Sequence, residues 1–155
     1  MKRKVRLSNY SVILSGSILI ILLVVLYCSD NAWSIGTMSA ILIVWCALAL
    51  IYMPMSISVD NKELSVNRSL WIKRIPLAEI SSIESVQPSG CRMCGSAGWF
   101  GYWGWFRDSS LGKYFAFYGK TSDCFFVRLK NGKQYMLGCD DHEAIISFVS
   151  DRIAM

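Results

Sequence analysis

The sequence predicts a two-helix transmembrane hairpin followed by an antiparallel β-barrel of about seven short strands, closed by a C-terminal helix. Three observations carry this. Residues 7–58 form an apolar run whose only formal charge is Asp30. Beyond Pro54 the apolar residues alternate with polar ones, the period of a half-buried strand. After Asp141 the period lengthens to that of an amphipathic helix.

A helix needs about 20 apolar residues to cross about 30 Å of hydrocarbon, and residues 10–28 and 36–53 each approach that length. Ser29 to Ile35, with Asp30 and Asn31, reads as the turn between antiparallel spans. Pro54 marks where the second helix ends. Tyr10, Tyr27, Trp33 and Tyr52 fall near the expected ends, as interfacial aromatics do. A cleaved secretory signal fits less well, because the first run exceeds an ordinary signal core and no small-x-small site follows it. Tyr27 is also too bulky to precede a lipidated Cys28. Ser11, Ser15, Gly16 and Ser17, with Ala47 and Ala49, supply a small-residue seam between the helices. Lys2, Arg3, Lys4 and Arg6 make a basic tail, which the positive-inside rule assigns to the cytoplasm. Both termini are then cytoplasmic, and anionic headgroups neighbour the tail.

The organisation expected is tail and hairpin over residues 1–55, then one domain over residues 56–155, enough chain for a small core. That second part carries 12 basic and 10 acidic residues, 12 − 10 = +2. So small an excess excludes a nucleic-acid surface. Of the six cysteines, Cys124 and Cys139 read as small core residues of a reducing compartment.

Ile57 and Val59, then Leu64 and Val66, alternate about the Asn61-Lys62 turn. A third strand fits residues 70–75. Leu77, Ile80 and Ile83 suggest one helical turn leading into a strand over residues 83–87. Residues 88–112 read as a long loop, and long loops are functional or disordered. Its aromatic content argues against disorder. Residues 113–118, 123–130 and 133–138 complete the strands. Asn131-Gly132 signals a type I′ hairpin, and Asp141 an N-cap for a helix to about Ile153.

SISVDNKELSVNRSLWIKRIPLAEISSIE resembles the opening of bacterial pleckstrin-homology-like (PH-like) domains. GWFGYWGWF, LGKYFAFYG, VRLKNGKQYML and the acidic helix start at Asp140-Asp141 resemble the second half of one such family. The resemblance covers about residues 53–149, and such domains often follow N-terminal spans. It implies a seven-stranded PH-like barrel with a C-terminal helix, and no reaction. Eukaryotic relatives in fold bind phosphoinositides through basic residues of the first strand loop. Here that loop is Asp60-Asn61-Lys62-Glu63, a lysine among acids, so that ligand does not carry over.

Trp99, Phe100, Tyr102, Trp103, Trp105 and Phe106 are punctuated by Gly98, Gly101 and Gly104. Three placements are open to these rings: over the domain's own core, at the headgroup level of a bilayer, or in a partner protein. Cys91-x-x-Cys94 and Cys139-x-x-His142 together make a Cys₃His set, the candidate metal or redox site. His142 alone lacks an oriented catalytic partner. The expectation is a membrane-anchored, non-enzymatic binding module without a cofactor. Its partners would be membrane lipids, a membrane protein or a second copy. The alternatives are a thiol- or zinc-dependent membrane protein and an accessory subunit of a membrane complex.

Overall fold

The computed structural model describes residues 1–153. A short strand, β1 (Lys2–Lys4), leads into helices α1 (Asn9–Tyr27) and α2 (Ala32–Tyr52). Then come β2 (Pro54–Val59), β3 (Glu63–Arg68), β4 (Ile72–Pro76), a 3-10 turn over Leu77–Glu79, and β5 (Ile80–Ser85). The chain continues through β6 (Cys91–Gly98), β7 (Gly101–Asp108), β8 (Gly112–Tyr118), β9 (Cys124–Leu129), β10 (Gln134–Gly138) and α3 (His142–Ile153).

Ser8 caps α1, accepting from Ser11 N, and Asn31 caps α2, accepting from Trp33 N. That cap starts the second helix at Ala32 rather than at residue 36. Both helices are long and apolar enough to cross a membrane, and almost none of either is buried. At 1.5 Å per residue they are about 28 and 31 Å long.

The strands form two open sheets, β1-β2-β3-β4 and β5-β9-β10-β8-β7-β6. Where a single, partly open barrel of about seven strands is expected, the ten strands instead make a sandwich-like pair of sheets with free edges. The three additional strands come from places read otherwise. The basic tail is β1, paired with β2 from Lys2↔Ser58 to Lys4↔Ser56. The expected loop over residues 88–112 is the β6–β7 hairpin. One pair, β8 with β10, is parallel, because β10 inserts between β8 and β9.

Ile57, Val59, Leu64 and Val66 from one sheet meet Phe125, Val127 and Leu137 from the other, and Ile145 and Val149 of α3 complete this core. The outer face of the larger sheet has its own cluster of Phe106, Tyr114, Tyr118, Phe126 and Met136. Two turns differ from expectation. Gly132 has φ +81° and its N–H reaches Leu129 O, while Asn131 stays right-handed; this is a three-residue turn with a glycine bulge rather than type I′. Asp141 has φ +57° and its carboxylate meets Arg3 Nη2 at 2.6 Å, while Asp140 meets Arg6 Nε at 2.6 Å. The adjacent acids thus clamp the tail. Each exposed pair is worth at most about 1 kcal/mol.

Cys124 and Cys139 are buried, and burial pushes both thiols up; Asp140 and Asp141 add to the effect on Cys139, which reaches about 12. Both states keep that proton below the ordinary thiol value near 9. Above it only the unfolded chain releases the proton, so stability is full below pH 9 and falls toward pH 12. Denaturant midpoints measured across that window should fall, and less steeply for Cys124→Ala/Cys139→Ala; identical slopes contradict the assignment.

Candidate functional site

The β6–β7 hairpin is built on glycine. Gly95 pairs with Gly104 at left-handed φ angles of +121° and +119°. A Cβ on Gly95 would lie 2.2 Å from Trp103 O, and one on Gly104 2.3 Å from Cys94 O. Only glycine allows the strands to approach so closely. The tip is Trp99-Phe100, held between paired Gly98 and Gly101, with Phe100 itself at φ +50°.

This tip lies along the helices. Phe100 N–H donates to Ser15 Oγ at 2.9 Å, and Ser15 Oγ donates to Gly98 O at 3.5 Å. Trp99 meets Trp45 edge-on at 5.1 Å, and Trp103 stacks on Tyr52 at 5.0 Å. Such pairs add about 0.5–1.5 kcal/mol each beyond area burial. A Cβ on Gly98 would lie 2.9 Å from Leu14. Below the tip, Ser8 N–H donates to Gly119 O at 3.0 Å. Ser15 is six residues into α1 and Trp45 seven from the end of α2, so the tip reaches about 9–10 Å along the helix pair. The Trp99 carbonyl is held from within the hairpin, accepting from Ser96 Oγ at 2.9 Å and from Trp103 Nε1 at 3.2 Å. Trp99 Nε1 is buried without an acceptor.

The small-residue seam is thereby corrected. Ser11 and Ser15 are buried, and Ser15 serves the hairpin tip; a side chain on Gly16 would meet open space, and Ser17 bonds its own helix at Ile13 O. Between the end of α2 and the hairpin runs a groove of about 680 Å³. Trp45, Leu48, Trp99, Trp103, Trp105 and Phe115 supply its apolar walls, with Arg92 and Cys94 also lining it.

Residues 55–153 match the family model described as Bacterial PH domain. The chain belongs to the bacterial PH domain family. Searches of curated proteins and of solved structures return no match.

In this PH domain the six aromatics divide. Trp99, Trp103 and Phe106 are buried, Phe100 and Tyr102 half-buried, and Trp105 exposed at 41%. Trp103 and Phe106 join the domain's core clusters, and Trp99, Phe100 and Trp103 also meet the chain's own helices. The four metal candidates do not come together. Cys91 and Cys94 are exposed on the edge strand β6, whereas Cys139 is buried beyond β10 and His142 opens α3 beside Ser85 Oγ. Among the described residues no three His, Cys, Asp or Glu side chains converge as a metal site requires.

The domain's orientation follows from β2, which starts one residue after Met53 at the helix end and runs away from it. The β2–β3 turn at Asp60-Asn61 is therefore distal to the helices. The β3–β4 turn is proximal, since Arg68 pairs with Pro54. That turn exposes Leu70 and Trp71, with Ile72 beside them at the start of β4. The sequence places residues 70–75 in one strand, whereas Leu70 and Trp71 lie in the turn and Ile72 opens β4. A polar-apolar count on adjacent Leu-Trp-Ile, too apolar for a solvated turn, was the available signal.

Ser15→Ala should cost about 1–3 kcal/mol, because the Phe100 N–H loses its acceptor in an apolar setting. Ser17→Ala should stay within about 0.5 kcal/mol. Denaturant unfolding of the full chain in detergent measures both; equal losses contradict the docking role of Ser15.

Proposed function

We propose that this chain is a membrane-anchored, non-enzymatic PH-like binding module at the cytoplasmic face of a bacterial inner membrane. The observation that carries the reading is the hairpin tip lying lengthwise on two apolar helices whose outward sides are uncovered. Each helix only just matches the hydrocarbon thickness, so nearly its whole length is needed to span it. The tip then stands within the inner leaflet. Backbone at that depth needs protein partners, and the Phe100 N–H and the Trp99 carbonyl have them, in Ser15 and in Ser96 and Trp103.

Leu70, Trp71 and Ile72 support the same orientation. Exposed on the helix-proximal edge, they suit the interface where aromatic rings concentrate. β1 returns the N-terminus to the domain's side of the helices, so the basic tail and the domain share a compartment. The positive-inside rule makes it the cytoplasm. The function is recognition at the bilayer surface, with tethering raising the effective concentration of membrane-bound ligands.

The native cysteines test the topology. Cys28 lies exposed at the turn end, and Cys91 and Cys94 are exposed in the domain. An impermeant maleimide added to intact spheroplasts should label Cys28 at once and the other two only after permeabilisation. The reverse order overturns the orientation, and equal labelling overturns the spanning hairpin.

A further inference from the structure

We propose that the groove between α2 and the β6–β7 hairpin is a binding site for one anionic phospholipid of the surrounding leaflet. This rests on the membrane-anchored reading above. The walls grade along the groove. Trp45 and Trp99 stand deepest, Trp103 is level with Tyr52 at the helix end, and Trp105 with Phe115 lies farther out. A hydrocarbon chain following that path passes mostly apolar surface, in a cavity of ordinary ligand-site size.

The outer end is cationic. Arg92 lines the groove. Lys113 holds its ammonium 4.6 Å from the centre of the Trp105 ring, at the groove's rim. Arg107 pairs with Lys113 across β7–β8, two residues beyond the Trp105–Phe115 pair and hence on the same face. All three are exposed, and none joins an ion pair among the described residues. That face of the hairpin and β8 carries no acid: Asp108 points to the other side, its carboxylate held by Ser89, Ser110 and the Leu111 N–H. A phosphodiester at the rim would meet Arg92 and Lys113 while its acyl chain fills the groove. The occupant is a bilayer lipid because the groove's deep end opens at hydrocarbon depth, where a soluble anion has no access.

The test uses the full chain in phosphatidylcholine vesicles containing a minor share of phosphatidylglycerol, with brominated acyl chains on one lipid or the other. Tryptophan quenching per bromine should be greater when phosphatidylglycerol carries the label. Arg92→Gln and Lys113→Gln should each lower that preference about fivefold at low salt. Lys130→Gln, on the distal β9–β10 turn, should leave it unchanged. Cys94→Phe keeps every cation and narrows the groove, and should also lower the preference. Equal quenching by both lipids, or a preference that survives Cys94→Phe, overturns the site while leaving the anchored module standing. Absence of quenching by either lipid overturns both.

Discussion

The structure depends on one partly buried polar contact, the Phe100 amide on the hydroxyl of Ser15. It joins the tip of a β-hairpin to a largely apolar and mostly uncovered helix. Left unpaired in such a setting, that amide would cost about 1–3 kcal/mol, so the contact favours this docked position of the hairpin tip. The edge-on contact of Trp99 with Trp45 and the stacking of Trp103 on Tyr52 add apolar contact around that point. With the hairpin placed, β7 and β8 follow by register, and the groove beside α2 exists as the gap left between them.

The same end of the molecule is tied down twice more. No linker separates α2 from β2, and β1 pairs with β2 immediately before α1. Arg3 and Arg6 reach Asp141 and Asp140 at the start of α3. The helix pair and the sheets are thus joined through both ends of the hairpin, and the domain has a fixed face toward the helix ends. That face presents Leu70, Trp71, the hairpin tip and the groove, while the Asp60-Asn61 turn points away. Anchored as proposed, a PH fold held in this attitude would meet a bilayer through a different surface from one that approaches by its first strand loop.

The helices are legible because Asp30 stands alone in a long apolar run, β2 and β3 because apolar and polar residues alternate, and β8 to β10 because Phe, Tyr and Val flank a strong Asn-Gly turn. β5 starts at Ile80 rather than 83, where a three-residue apolar spacing reads as helical. The β6–β7 hairpin is not legible, since Gly95, Gly98, Gly101 and Gly104 interrupt alternation and read as a loop. Their left-handed φ angles depend on a pairing that no local pattern reveals. Ser15 looked like part of a helix–helix seam, for serine spacing does not say which partner comes close. Asp141 satisfied the cap rule locally, yet Arg3, distant in sequence, took its carboxylate. The basic tail read as a lipid-facing segment because a three-residue strand exists only where another strand accepts it. In each case the missing information was tertiary.

The central claim is that the hairpin tip lies inside the leaflet beside α1. A spin label at Phe100→Cys, in the full chain reconstituted into vesicles, reports its depth through the balance of collisions with oxygen and with a water-soluble nickel chelate. The account predicts an oxygen-rich, nickel-poor environment resembling that of a label at Ile13. Free access to the nickel chelate, like that of a label at Asn131 on the distal turn, would contradict it.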